Sequence, residues 1–311
     1  MAGAAVIMRL EPEGKGNSLK KRSKKLLLAG GIAAAVLVWA GLDTSLTVQT
    51  YTVESGKVDA PVRLALLTDL HSCDYGEGQR ELLEAVEEQD PDLVLLGGDI
   101  VDDGPEMPEE RALDTVEALA ERWPTYYVTG NHEYRTGRAE EIKELIAGRG
   151  AVVLEGTCGL VTVGGQTLQI CGVDDPAVGA AVWQSQLENV TAAQEGDVCS
   201  ILLSHRPERV TDYTGRGFDL VLSGHAHGGQ WRIPVLGVGL IAPNQGLFPR
   251  YAGGTYDLEG TTLVVSRGLA RESTRIPRLY NPPEVVIIEL APKKRPEPWL
   301  RALPFCFMIY L

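Results

Sequence analysis

All five histidines of this 311-residue chain stand at the ends of short apolar runs, in company with Asp, Asn and Ser. The segments are Asp69-Leu70-His71, Gly98-Asp99, Gly130-Asn131-His132, Ser204-His205 and Gly224-His225-Ala226-His227. A lone histidine at such a place is ordinary core architecture; five of five, with carboxylates and a carboxamide beside them, read as a ligand set. Imidazole with carboxylate suits borderline first-row metals such as manganese, iron or zinc, with magnesium as a harder alternative. No C-x-x-C pair offers a competing thiolate site. The i, i+2 spacing of Asp69 with His71, and of His225 with His227, predicts both side chains of each pair on one side of extended backbone.

These residues act together only if their segments converge. VRLALLTD (62–69), DLVLLGGD (92–99) and TYYVTGNH (125–132) are apolar runs with polar ends, as buried parallel strands have. Between and after them, 76–89, 108–123 and 138–150 carry amphipathic helical spacing. Strands alternating with helices of that length imply βαβ units and a parallel sheet, whose carboxyl ends share one edge where ligands bind. Beyond residue 150 the pattern becomes mixed. A hairpin is expected around Gly164-Gly165, a helix over 180–190, strands over 197–205 and 218–227, a second hairpin over 255–268 and a last strand over 282–290. One mixed α/β domain over 61–290, with five segments delivering polar side chains to one crevice, is the simplest account.

The blocks DLH, GGDIVD, GNHE, SH and GHAHGGQ, in this order over roughly residues 62–290, resemble the motif series of the calcineurin-like metallophosphoesterase superfamily. The apolar lead-in, GHAHGGQ and the later SRGLA and NPPEV look closest to its membrane-associated bacterial subgroup, which is similar to UDP-2,3-diacylglucosamine pyrophosphatases. The resemblance implies a sandwich of two mixed β-sheets flanked by helices, with two divalent metal ions at the sheet edge. It implies that Asp69, His71 and His227 hold one metal, that Asn131, His205 and His225 hold the other, and that Asp99 bridges them. His132 matches the family's catalytic histidine, which protonates the leaving oxygen or steadies the transition state. Asp102 and Glu133 match acidic positions behind the site that orient a histidine. A hydroxide bridging the metals would be the nucleophile, since a coordinated water's pKa falls from about 15.7 to about 7. The usual RGLG-like stretch reads Arg267-Gly268-Leu269-Ala270 here, which leaves that turn in question.

Charge is unevenly spread. The first 42 residues hold seven Lys/Arg against two Glu, and the remaining 269 hold 22 basic and 40 acidic side chains. A body that acidic repels polyanions, which excludes binding along nucleic acid. Residues 1–25 read as a basic, disordered cytoplasmic segment, and 26–42 as an uncharged transmembrane signal anchor, with a cleaved signal and a buried core helix as alternatives. Basic flanks stay cytoplasmic, so the domain that follows the lead-in strand of 43–60 should lie outside the cytoplasm, on the membrane or secreted. The tail 291–311 ends in eight apolar residues, too few to span a bilayer, and has no assigned role. Cys73, Cys158, Cys171 and Cys199 are expected in the core, with a disulfide among the last three open but unpaired by sequence. Arg206, Arg267, Arg271, Arg275 and Arg278 are candidates for holding a substrate phosphate, since a guanidinium fork fits it bidentately.

The reading is therefore a metal-dependent hydrolase of a phosphomonoester, phosphodiester or pyrophosphate, membrane-anchored and suited to lipid-linked or envelope substrates. A nucleotide-linked lipid sugar fits poorly with an outward-facing domain. The alternative is an anchored metal-binding module without turnover. Oligomeric state is not legible.

Overall fold

The computed structural model describes residues 15–234, 236–273 and 276–293; Arg275 and the ends of the chain, including most of the expected tail, lie outside the described residues. Helix α1 (Lys15–Gly41) is followed by β1 (Thr47–Ser55), β2 (Val62–Leu67), α2 (Arg80–Glu87), β3 (Leu93–Leu96), α3 (Glu109–Ala120) and β4 (Thr125–Tyr127). Next come α4 (Asn131–Arg135), α5 (Ala139–Gly148), β5 (Val152–Val153), β6 (Thr157–Val163), β7 (Gln166–Gly172), α6 (Ala180–Ala192), β8 (Cys199–Leu203), α7 (Val210–Tyr213) and β9 (Leu220–Ser223). Two small ribbons follow, β10 (Arg232–Ile233) with β11 (Val238–Gly239) and β12 (Ile241–Ala242) with β13 (Gly246–Leu247). The last described elements are β14 (Gly254–Leu258), β15 (Thr261–Val265) and β16 (Glu284–Pro292).

Two six-stranded mixed sheets carry the fold, in the orders β1-β16-β2-β3-β4-β5 and β14-β15-β9-β8-β7-β6. In the first, β2, β3 and β4 run parallel; in the second, β7, β8, β9 and β15 do. Alternate residues of each apolar run face opposite layers, as the period of two requires. Leu64, Leu66, Leu93 and Leu95 meet Ile170, Ile201, Leu203 and Leu222 between the sheets. Ala65, Leu67, Val94 and Leu96 pack instead under α2, α3 and α5. Leu202, Val221 and Leu263 pack on the far face with Trp183 and Leu187 of α6. Burial on both faces explains why these strands read as unbroken apolar runs.

The lead-in strand belongs to the domain: β1 pairs in parallel with β16 over nine residues, so the sheet extends beyond both expected limits, 61 and 290. Part of the basic segment expected to be disordered is helical from Lys15, continuous with the apolar run; Lys and Arg are good helix formers and propagate it. Its window Lys24–Gly41 is long and apolar enough to cross a membrane or serve as a signal sequence, and is almost wholly exposed. Leu26, Val36 and Trp39 face away from the body, which excludes a buried core helix.

Cys158 and Cys171, directly opposite on β6 and β7, form a disulfide, while Cys73 and Cys199 are buried thiols. Reduction is expected to lower stability by about 2–3 kcal/mol for so short a loop. Denaturant midpoints with and without reductant measure it.

Candidate metal centre

The parallel strands of both sheets deliver their carboxyl ends to one edge. Asp69 and His71 follow β2, Asp99 follows β3, Asn131 and His132 open α4 after β4, His205 follows β8, and His225 and His227 follow β9. The ends are tied across strands and sheets by Asp69 N–H to Gly98 O (2.9 Å), His71 N–H to Asp99 O (3.0 Å) and His205 Nδ1–H to Gly97 O (2.8 Å).

The backbone here is not extended, contrary to the expectation from the i, i+2 spacings. Asp69, His71, Asp99, His225 and His227 all have φ between 44° and 65°. Side chains rarely adopt that left-handed region, and such strain persists only where the surroundings over-determine it, typically at functional sites. The pairs converge because each strand end turns sharply. Two glycines make room for this. A Cβ at Gly130 would lie 2.2 Å from Asp99 Oδ1, and one at Gly268, itself at φ 76°, would lie 2.7 Å from Asp69 Cβ. The position that needs glycine in Arg267-Gly268-Leu269-Ala270 is thus Gly268, and Ala270 is accommodated, fully buried.

Among the described residues three groups of potential ligand atoms come together, Asp69 with His71 and His227, Asp99 with His205 and His225, and His71 with Asp102 and His132. Asp99 reaches the first two: its Oδ2 is 3.0 Å from His205 Nε2 and 3.8 Å from His71 Nε2. Asp69 Oδ1 is 3.6 Å from His227 Nε2 and 3.9 Å from His205 Nε2. The Asn131 carboxamide approaches His225 Nδ1 to 2.8 Å. Asp69, Asp99, His71, His205, His225 and Asn131 are all buried, yet Nε2 of His71 and of His205 has no hydrogen-bond partner. Buried carboxylates and orphaned ring nitrogens facing one another are what a cation between them would satisfy. The electrostatics agree. Burial opposes protonation of His205, but the Asp99 and Asp69 charges outweigh it and push the ring up to about 10, so this position demands positive charge. Burial holds His227 down at about 3 and His225 well below its ordinary value, leaving neutral rings of the kind metals take. The residues present fit divalent cations.

Asp102 orients two histidines, its Oδ1 lying 2.8 Å from His71 Nδ1 and 3.1 Å from His132 Nδ1. Asp103, not singled out from sequence, lies 2.6 Å from the same His132 nitrogen. Burial opposes the charged His132 ring, but Asp102, Asp99 and Asp103 raise its pKa overall. The expected orienting role of Glu133 is not what the geometry gives. Its oxygens accept from the backbone N–H groups of Ile100 (2.8 Å), Val101 (3.2 Å), Asp99 (3.1 Å) and Gly130 (2.8 Å). Burial, followed by the Asp99 charge, pushes its pKa up to about 7. Glu133 is a fully buried clasp between the turns after β3 and β4.

A cleft of about 870 Å³ opens over His71, His132 and His227. Of the arginines expected to hold substrate, the four described, Arg206, Arg267, Arg271 and Arg278, do not line it. Arg206 forks onto Asp175 and donates to His225 Nε2 (3.0 Å); Arg267 is bound to Glu284; Arg271 donates to Asp74 O, pairs with Glu81 and lies over the Tyr75 ring. Arg278 is fully buried and donates to the carbonyls of Arg267 and Gly268. In an acidic body, carboxylates nearer than the cleft had already claimed Arg206, Arg267 and Arg271. Among the described residues the arginine on the cleft wall is Arg135, which donates to His132 Nε2 (2.9 Å). It was legible only if α4 had been recognised, since i and i+3 share a helical face.

Arg206 is thereby a positioning residue for His225. Arg206→Lys keeps the charge and loses the fork. It is expected to weaken metal binding about 10–100-fold, as losses behind a ligand do, in a direct metal titration of folded protein.

Paired mixed sheets with Asp, His and Asn gathered at the common edge of their parallel strands define a metallohydrolase sandwich. The calcineurin-like phosphoesterase family model matches residues 62–229, and the chain belongs to that family. It is similar to an uncharacterized metallophosphoesterase of Campylobacter jejuni, 29% identical over 85% of this chain and 69% of that protein. It is also similar to the phosphodiesterase YaeI of Escherichia coli, 29% identical over 74% of this chain and 83% of that protein. Among solved structures, a 5'-nucleotidase precursor from Thermus thermophilus aligns at 15% identity and a TM-score of 0.46, over 75% of this chain and 56% of its own.

Proposed function

We propose that this protein hydrolyses a phosphoester with two divalent cations, manganese, iron, zinc or magnesium, held at the common sheet edge. Asp69, His71 and His227 hold one, Asn131, His205 and His225 the other, and Asp99 reaches both. The observation that carries this reading is the pair of orphaned nitrogens, His71 Nε2 and His205 Nε2, facing two buried carboxylates. Such cations supply a nucleophile at neutral pH and the positive charge that an anionic ester needs. The chain's own residues do the rest. His132, 19% exposed in the cleft, supplies the proton to the departing oxygen; Asp102 and Asp103 aim its ring and favour its charged form, which Nε2 can take up once Arg135 leaves it for the substrate. Arg135 offers its fork to the phosphoryl oxygens.

The catalytic domain lies outside the cytoplasm in this account, with α1 as its membrane anchor. The basic flank before the apolar window and the Cys158–Cys171 disulfide both support that placement. Anchoring favours a substrate at the bilayer or in the envelope.

The test is chelation and reloading of the purified full chain, assayed on a phosphomonoester and a phosphodiester reporter. Hydrolysis is expected to vanish on chelation and return with a first-row cation. Cations bound without hydrolysis of any ester would make the protein an anchored metal-binding module.

A further inference from the structure

Exposed large apolar side chains are concentrated in one place beyond α1. Val48, Val152, Leu160 and Val182 are scattered singly over the body, as is ordinary on any surface. The two ribbons and the segment beside them are different. Trp231, Ile233, Leu236, Val238, Ile241 and Leu247 are all exposed, joined by Phe248 and Ile276, and Leu236 (69%) and Leu247 (68%) rank with the residues of α1 itself. Residues 228–254 contain no acidic side chain and two arginines, in a body that is otherwise strongly acidic.

This unit is fastened to the end of α1. Tyr280 N–H donates to Gly41 O, and its hydroxyl donates to Leu37 O, both at 2.6 Å. A Cβ at Gly41 would lie within 2.9 Å of the side chains of Leu279 and Tyr280, so a larger residue there would displace them. Leu279 in turn pairs with Trp231, with Arg232 N–H donating to Leu279 O at 2.9 Å. Gln230 donates to Ile276 O, and Trp231 Nε1–H donates to Pro277 O at 2.9 Å. The ribbons also border the cleft, which Gln230, Ile241, Ala242, Pro243 and Ile276 line opposite His132.

We propose that the surface formed by residues 231–234, 236–248 and 276–280 docks on the lipid bilayer that α1 enters, so that the cleft takes its phosphoester from the headgroup layer. The inference rests on the reading of α1 as an anchor and names the substrate class of the same site, a phosphoester borne on a lipid. Three features commit the surface to lipid: its attachment to the last turn of α1, its freedom from carboxylates that an anionic leaflet would repel, and a tryptophan with its indole N–H satisfied, a residue suited to the membrane interface. The cleft matches such a substrate, with a polar floor of histidines for the phosphate and an apolar lip for the chain beyond it.

The full chain, in a Cys306→Ser background, is to be placed in phosphatidylethanolamine–phosphatidylglycerol vesicles that carry a doxyl-labelled lipid. Leu236→Cys and Leu247→Cys each receive an environment-sensitive fluorophore, with Leu160→Cys as the control on β6. The expected result is co-flotation with the vesicles, a blue shift at 236 and 247, and lipid quenching there but not at 160. Co-flotation with 236 and 247 as unquenched as 160 overturns the docking and leaves the anchor standing. A blue shift insensitive to the lipid quencher assigns the surface to a second copy of the chain and likewise overturns it. Failure to co-float overturns the anchor and the docking together, without touching the metal centre.

Discussion

Replacing Asp99 by asparagine is expected to abolish hydrolysis, with a loss of about 10³-fold or more, equivalent to about 4 kcal/mol of transition-state stabilisation. The carboxamide keeps the shape of the side chain and can still accept the N–H of His132 at the position where Asp99 Oδ1 accepts it (2.8 Å). What it loses is the negative charge that both His71 and His205 face, and with it the means to hold two cations close together. The metal content of the variant should fall below that of the parent protein. The folded state should survive, because the substitution removes a buried charge rather than a packing contact. Activity and stability therefore part company in this variant, and a melting curve run beside the assay separates a lost site from a lost fold.

His132→Ala is the second large effect, with a different signature. A positioned general acid contributes about 10²–10⁴-fold, so kcat should fall by that much on an ester with a poor leaving group such as an alkoxide. A nitrophenolate departs without a proton, and on that ester the loss should shrink markedly. Metal stoichiometry should stay at the parental value, since neither proposed cation takes His132 as a ligand: its Nδ1 is turned to Asp102 and Asp103 and its Nε2 to Arg135. Equal losses on both esters would place His132 among the groups that bind substrate and remove its role as proton donor.

The scaffold, and the gathering of Asp, His and Asn at one edge of it, were legible in the sequence for one physical reason. Strands buried on both faces must be apolar throughout, so a polar residue at their ends is conspicuous, and parallel strands bring those ends to one edge. Geometry at the ends was beyond reach. The left-handed turns at Asp69, His71, His225 and His227 depend on room that Gly130, Gly268 and their neighbours leave, and no local pattern encodes that. The same limit hid α4: TYYVTGNH reads as one strand, but the strand stops at Tyr127 and Asn131 begins a helical turn clasped by Glu133. The roles of Arg206, Arg267 and Arg271 were misjudged because an arginine's partner is set by tertiary neighbours, Asp175, Glu284 and Glu81 here. The ribbons of 232–247 gave no periodicity because two-residue strands are too short to show one. The pairing of Cys158 with Cys171 followed only once the register of β6 on β7 was known.

The central claim is that two cations flank Asp99. Anomalous diffraction from crystals of the full chain grown with manganese tests it most directly. The account predicts two peaks, one among Asp69, His71 and His227 and one among Asn131, His205 and His225, both within bonding distance of the Asp99 carboxylate. A single peak, or peaks that leave Asp99 without a metal neighbour, would contradict it.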